Sequence, residues 1–457
     1  MCFVLKEKIN DFKNLRIEVI FFLVMIIFGC FSTFLTYPLS NGDEGYHLSK
    51  AYEVFSLEKP FSMSEEILRG YELQAISGNG IDINDFNYSI LEDVKNDEIT
   101  FKVTKNNNCI LNVDLFHFPA AIGVLLARLI YPSYGFMLCL SRLSNLLFYA
   151  VSCSILIKYS KVAKVSLFML FSIPFLQKIA SPSYDVYSYV AFFAFVVNLF
   201  NISKLKSIKD ITKKQNIYTL FTVIMILFAK TNYIFSLFGL LILMINIFLK
   251  NINKRTQYLL IFISIICLGI IIIVMNDIFD LKNYIRVFFD SFLNMATSGR
   301  KGRELFSVVP AILPDIFNII WFIILFLVIA SETKYRWDKF IVYGFSTVFF
   351  VNWIGIYSAY YLMHNRPISA ISEIGGRYLH PFLLFFTPMV QNIGYKYDIR
   401  LPKKNIKTIA VMITVIIMIL YVITVYYSIL SRVYNTYYSN MEYVKLLSLE
   451  FINLFIY

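Results

Sequence analysis

Residues 38–59, PLSNGDEGYHLSKAYEVFSLEK, follow directly on an apolar run from Ile17 to Tyr37 and set two adjacent carboxylates, Asp43 and Glu44, beside a segment long enough to cross a bilayer. Ionisable groups at that position are costly and usually serve chemistry or binding. Asn41 or Asp43 can cap a helix running through about Phe55, which puts Asp43 and His47 one turn apart on the same face. A partly desolvated carboxylate steadied by an imidazole is a candidate general base for a hydroxyl group. The plainer reading is that Asp43 only caps the helix and Glu44 is a solvated first-turn acid.

The rest of the chain explains why this loop stands out. Of 457 residues, 58% are hydrophobic and 18% aromatic, with a mean hydropathy of +0.65. Such composition excludes an ordinary aqueous core and predicts an all-α polytopic membrane protein. The net charge of +12 is carried by short Lys and Arg clusters between apolar runs, a topology signal and not a nucleic-acid surface. Six cysteines (Cys2, Cys30, Cys109, Cys139, Cys153, Cys267) show no paired spacing, so neither a disulfide framework nor a zinc site is expected. The first apolar run lacks a small-residue cleavage site after it and reads as an uncleaved signal anchor.

About eleven spans are expected, near 17–37, 136–157, 165–181, 185–202, 216–231, 234–249, 257–276, 316–331, 338–356, 376–395 and 405–428. With a cytoplasmic amino terminus, the clusters around Lys13, Lys161, Lys206, Lys254, Arg336 and Lys403 all fall on one side. The segment 119–131, PAAIGVLLARLIY, is too short to span and carries Arg128, so it is expected to lie in the outer interface as an amphipathic helix. The expected organisation is a cytoplasmic 1–16, a first span at 17–37, a large outer loop at 38–118 with the acidic motif and a small lobe, a multi-span domain at 119–428, and an outer interfacial tail at 429–457. The outer loops hold nearly all the unusual polar residues, so function is expected on that face.

Further candidates lie along those loops. Ser181-Pro182-Ser183-Tyr184-Asp185 is a tight turn preceded by Lys178, whose charge asks for a partner such as Asp185 or a phosphate. Lys230, in FAKTNYIF, suits a lipid phosphate or simply snorkels to the interface. Gly375-Gly376-Arg377-Tyr378 opens a helix whose backbone N–H groups and guanidinium can hold an anion, although Glu373 could instead neutralise Arg377. Arg300 and Arg303, with Arg366 in the next outer loop, could grip an anionic head group or acidic saccharide, or be a solvated charge run. Arg142 and Asn145 share a face of the second span, where a buried arginine needs Asp43, Glu44 or Asp185 as a partner.

Taken in order, D-E-x-x-H with A-Y at 43–52, H-F-P-A-A-I-G-V-L-L-A-R-L at 117–129, R-L-S-N at 142–145, A-S-P-S-Y-D at 180–185, K-x-x-Y at 230–233 and G-R-Y-x-x-P at 376–381 resemble a family of bacterial membrane proteins, long labelled a domain of unknown function, that belongs with the GT-C glycosyltransferases. The series covers about residues 17 to 400. Two positions depart from the family pattern: Gly42 stands where it usually has Pro, and Gly375 where it has Gln.

The resemblance implies a GT-C-like bundle in the bacterial inner membrane with its active site facing the periplasm. It implies a polyprenyl-phosphate-linked sugar as donor and a lipid-linked saccharide of the O-antigen type as acceptor, joined by a single inverting displacement. Asp43 is then the base, assisted by Glu44 or His47, while Lys230, Arg377 and Lys178 stabilise the departing polyprenyl phosphate. Asp185, Arg142, Arg300, Arg303, Arg366 and Tyr378 are expected to bind substrate or support the site. A divalent cation, Mg or Mn, held by Asp43 and Glu44 is an open expectation. Two other activities compete: an O-antigen polymerase, favoured by the outer arginines, and a transporter or flippase, disfavoured because the charges gather at one face and the halves do not repeat.

Overall fold

The computed structural model describes residues 15–36, 38–39, 42–77, 92–99, 116–173, 176–205, 210–249, 280–293, 315–332, 336–364, 369–371, 374 and 378–434. The expected span at 257–276, Arg300, Arg303, Arg366 and Arg377 lie outside these residues, as do most of the expected amino-terminal segment and the tail beyond 434. The described residues are helical, with two isolated β-bridges, Ser56 to Ile99 and Asp93 to Ser133. In chain order the helices are α1 (Ile17–Leu35), α2 (Glu44–Glu53), α3 (Glu65–Ser77), α4 (Phe118–Ile130), α5 (Tyr134–Tyr159), α6 (Lys164–Ser172), α7 (Leu176–Ile179), α8 (Asp185–Ile202) and α9 (Lys213–Leu227). There follow a 3-10 segment at Thr231–Leu237, α10 (Phe238–Leu249), α11 (Leu281–Phe292), α12 (Asp315–Ser331), α13 (Lys339–Met363), a 3-10 segment at His380–Phe386, α14 (Thr387–Lys396) and α15 (Lys403–Tyr434).

Six stretches among the described residues are long and apolar enough to cross a membrane: Ile17–Leu35, Tyr134–Tyr159, Asp185–Ile202, Thr231–Phe248, Lys339–Met363 and Asn405–Thr424. Several expected spans are built differently. The run at 165–181 is divided between α6 and α7. The run at 376–395 becomes a 3-10 segment starting at His380-Pro381 followed by α14, which has Pro388 in its first turn. Helix α9 has 15 residues and α12 has 17, both short of a comfortable crossing.

The chain forms two compact units. The first comprises Met1–Ile155, Phe175–Val190 and Met412–Tyr457. Within it, α2, α3 and α4 pack around a common core that includes Leu48, Tyr52, Leu68, Ala121, Val124 and Met137. Close approach is built into the sequence: a methyl group on Gly45 would lie 2.6 Å from the Leu68 carbonyl oxygen, and one on Gly123 only 2.1 Å from that of Leu140.

Helix α4 is fastened to this lobe at both ends. At its start His117 meets His47 of α2. At its far end Arg128 is buried, and its guanidinium donates to Phe55 O (2.9 Å), Asn96 Oδ1 (2.7 Å) and Asp97 Oδ1 (2.7 Å) while lying 4.1 Å over the Tyr52 ring. Burial works against ionisation of Asp97, but hydrogen bonds from Ser56, Tyr52 and the Glu58 N–H, with Arg128 beside it, hold its carboxyl below the ordinary value. The chain leaving α4 stays with the strap formed by residues 92–99, Val94 N–H donating to Pro132 O at 2.8 Å. A 13-residue helix spans about 20 Å, less than the roughly 30 Å of a hydrocarbon core.

The second unit comprises Leu156–Pro174 and Ala191–Val411. Here α12 packs on α14 and α6, and α13 on α10 and both 3-10 segments. Gly394 lets α14 approach the α12 backbone, since a methyl there would sit 2.0 Å from Ala330 O. Glu332, just past α12, accepts from the N–H groups of Val165 (2.9 Å) and Ser166 (2.8 Å) and so satisfies two donors at the start of α6.

Candidate functional site

The acidic motif begins with two residues in the left-handed region, Gly42 and Asp43, both at φ +61°. Proline fixes φ near −65°, so a proline at position 42 is incompatible with this entry into α2. Asp43 occupies the position just before α2, yet its side chain makes no capping hydrogen bond. Glu72 of α3 does that work instead, accepting from the N–H of Asp43 and, at 3.0 Å, from that of Gly45. The Asp43 carboxylate stays 55% exposed, with Arg69 Nη1 at 3.8 Å from its Oδ1. Glu72 was not marked by the sequence, because a cap supplied from another helix leaves no local spacing to read.

Glu44 has the opposite fate. It is fully buried, and both its oxygens are taken by Arg142 of α5, Oε1 from Nε at 2.9 Å and Oε2 from Nη2 at 2.7 Å. The same guanidinium donates through Nη1 to the carbonyls of Thr33 (3.1 Å) and Thr36 (2.8 Å) at the end of α1. Arg142 thus locks the last turn of the first apolar helix to the first residue of α2. A bidentate pair of this kind fixes geometry more than it adds stability, whereas removing either partner leaves a buried charge. Of Asp43, Glu44 and Asp185, Arg142 holds Glu44. With both Glu44 oxygens occupied and a cation beside Asp43, this pair does not fit a magnesium or manganese site, and no group of three or more His, Cys, Asp or Glu among the described residues is arranged to hold a metal.

One turn along α5, Asn145 donates from Nδ2 to the carbonyls of Ser181 (2.8 Å) and Ser183 (3.2 Å). Ser183 Oγ in turn accepts from the Asp185 N–H at 3.1 Å. The shared face of Arg142 and Asn145 therefore clamps the acidic loop and the Ser-Pro-Ser-Tyr-Asp turn to one helix. Lys178 and Asp185, at the two sides of that turn, are 8% and 7% exposed.

His47 Nδ1 and His117 Nε2 lie 2.9 Å apart, both rings buried. Tyr46 and Tyr184 meet the two rings edge-on, with centroid separations of 5.1 to 6.1 Å. Arg69 lies 5.5 Å over Tyr46, so contacts run from the Asp43 carboxylate through Arg69 and Tyr46 to the histidines. His117 belongs to the quoted H-F-P-A-A motif but carried no expected role; its partner is 70 positions away, beyond any spacing rule. The first unit thus gathers Asp43, Glu44, His47, Arg142, Lys178 and Asp185.

In the second unit, Lys230 Nζ sits 4.7 Å over the Tyr378 ring, and Tyr360 OH donates to Tyr378 OH at 3.2 Å. A lysine held over a tyrosine face keeps its charge near a hydroxyl pair, a surface that suits a phosphate. No family model matches the chain, and comparisons with curated proteins and with solved structures find no match either.

Proposed function

We propose that the protein is a periplasm-facing glycosyltransferase of the bacterial inner membrane that moves a sugar from a polyprenyl-phosphate donor to a lipid-linked saccharide. The observation that carries this reading is the division of labour in the acidic motif. Glu44 is consumed by Arg142 and Glu72 does the capping, so Asp43 presents a half-exposed carboxylate on a rigidly held helix start. Such a group can act as general base without first breaking a structural bond.

In the reaction, the acceptor hydroxyl gives its proton to the Asp43 carboxylate as its oxygen attacks the anomeric carbon. The carbon–oxygen bond to phosphate breaks and its electron pair leaves with the polyprenyl phosphate. That leaving group needs positive charge, the role that the sequence resemblance assigns to Lys230, Arg377 and Lys178. Attack opposite the departing phosphate inverts the anomeric centre. Glu44 then serves as the anchor that positions Asp43. The crossing count of about eleven and the cytoplasmic amino terminus belong to the same reading.

The test is the surface-polysaccharide composition, by mass spectrometry, of cells carrying the wild-type gene, no gene, or Asp43→Asn. Loss of one side-branch hexose in both altered strains, with chain length preserved, is the expected result. Collapse to single repeat units would make the protein a polymerase, and an unchanged polysaccharide would favour the transport reading instead.

A further inference from the structure

Helix α11, LKNYIRVFFDSF, has 12 residues and is about 18 Å long, too short to cross a bilayer. One of its faces is tied to the last turns of α13. Tyr357 OH donates to Tyr284 O at 2.6 Å, Asn283 Nδ2 donates to Tyr361 OH at 2.9 Å, and the hydroxyls of Tyr284 and Ser358 lie 2.7 Å apart. Phe288 and Phe292 close the contact against Trp353 and Tyr357, with ring centroids 5.1 to 5.9 Å apart. The opposite face is exposed. It carries Lys282, Ile285, Arg286, Phe289 and Leu293, spaced i, i+3, i+4, i+7 and i+11, so that they form one stripe. Its three apolar side chains are 47%, 52% and 59% exposed.

Helix α13 is among the stretches long and apolar enough to cross a membrane. Against its carboxyl-terminal turns, where α11 lies, Trp353, Tyr357 and Tyr361 supply rings of the kind that gather at headgroup level. Water disfavours three large apolar groups in a row, and hydrocarbon disfavours Lys282 and Arg286 one turn apart. A lipid boundary suits both. Of the two nearby acids, Asp280 is engaged as the helix cap, its Oδ1 accepting from Asn283 N–H at 3.2 Å, and Asp290 is partly buried at the edge of the stripe. Arg286 Nη2 donates to Asn283 Oδ1 at 2.7 Å, which steadies the guanidinium on the helix surface. We infer that α11 is an interfacial helix that binds an anionic phospholipid of the surrounding bilayer. The headgroup phosphate sits between Lys282 and Arg286, and an acyl chain runs along Ile285, Phe289 and Leu293. This binding requires that α13 crosses the membrane and is independent of the sugar transfer proposed above.

The test uses the full-length protein in phosphatidylcholine nanodiscs, with a bimane fluorophore on Leu293→Cys in a cysteine-free background. A minor fraction of the lipid carries brominated acyl chains, which quench on contact, under either a choline or a glycerol headgroup. Both lipids should quench, and phosphatidylglycerol should do so at roughly 10-fold lower mole fraction. Lys282→Gln with Arg286→Gln should make the two lipids equal. Lys282→Arg with Arg286→Lys, which keeps both charges, should preserve the preference. Absence of quenching by either lipid would mean that the stripe faces water or protein and would overturn the inference. Equal quenching by the two lipids with Lys282 and Arg286 in place, or a preference that survives loss of both charges, would overturn it as well.

Discussion

At the scale of single residues, the acidic loop shows how three neighbouring carboxylates take three different jobs. Asp43 stays half-exposed, Glu44 is locked by Arg142, and Glu72 caps α2 from outside. Burial pushes the Glu72 carboxyl above its ordinary value of 4.5, with Asp43 and Glu44 adding repulsion, while the N–H bonds from Gly45 and Asp43 pull the other way. The sign of the linkage follows. The folded lobe binds a proton at Glu72 that the unfolded chain has already released, so this group's contribution is complete below 4.5 and declines as pH rises through the raised value. Thermal unfolding of the detergent-solubilised protein should therefore show a falling component of stability upward from about pH 4.5. Glu72→Gln, which cannot ionise, should flatten that component; an unchanged pH slope would mean that other carboxylates produce it.

Between helices, the decisive features are small residues that admit backbone contact. Gly123 lets α4 lie against α5 at Leu140, where a methyl group would meet backbone atoms at 2.1 and 2.5 Å. Backbone cannot rotate aside as a side chain can, so Gly123→Ala should force α4 outward, drag His117 from His47, and cost about 1–3 kcal/mol. Thermal unfolding of the variant measures the cost, and loss of NMR coupling between the His47 and His117 ring nitrogens, 2.9 Å apart in the wild type, reports the displacement. A change below about 0.5 kcal/mol would show that α4 shifts freely. These contacts also mark how far the sequence could be read. The pairing face of Arg142 and Asn145 was legible because both sit on one apolar helix at helical spacing. The segment 119–131 was legible as a short helix from its length and its arginine. The Glu72 cap and the His47–His117 contact were not, since each depends on α2 being approached by a helix distant in sequence. The division of 376–395 was missed because hydropathy averages over Pro381 and Pro388, each of which starts a new helical segment by standing in its first turn.

For the molecule as a whole, membrane topology turns on α4. If it crossed, every later loop would change sides and the six basic clusters would no longer share one face. Its attachments argue against crossing: His117 before it and Arg128 near its end both bind the same lobe, and 13 residues fall short of the hydrocarbon thickness. Single cysteines at Lys95 in the strap and Lys161 after α5, both exposed positions, test this in a cysteine-free background. A membrane-impermeant maleimide should label position 95 in intact spheroplasts and position 161 only after permeabilisation. A cysteine at Arg400, also exposed, should behave like position 161. Labelling of 95 and 161 together from outside would mean that α4 crosses. Labelling of 161 but not 95 would place the acidic loop in the cytoplasm, away from a periplasmic polyprenyl-phosphate donor, and would remove the basis for Asp43 as the base of that reaction.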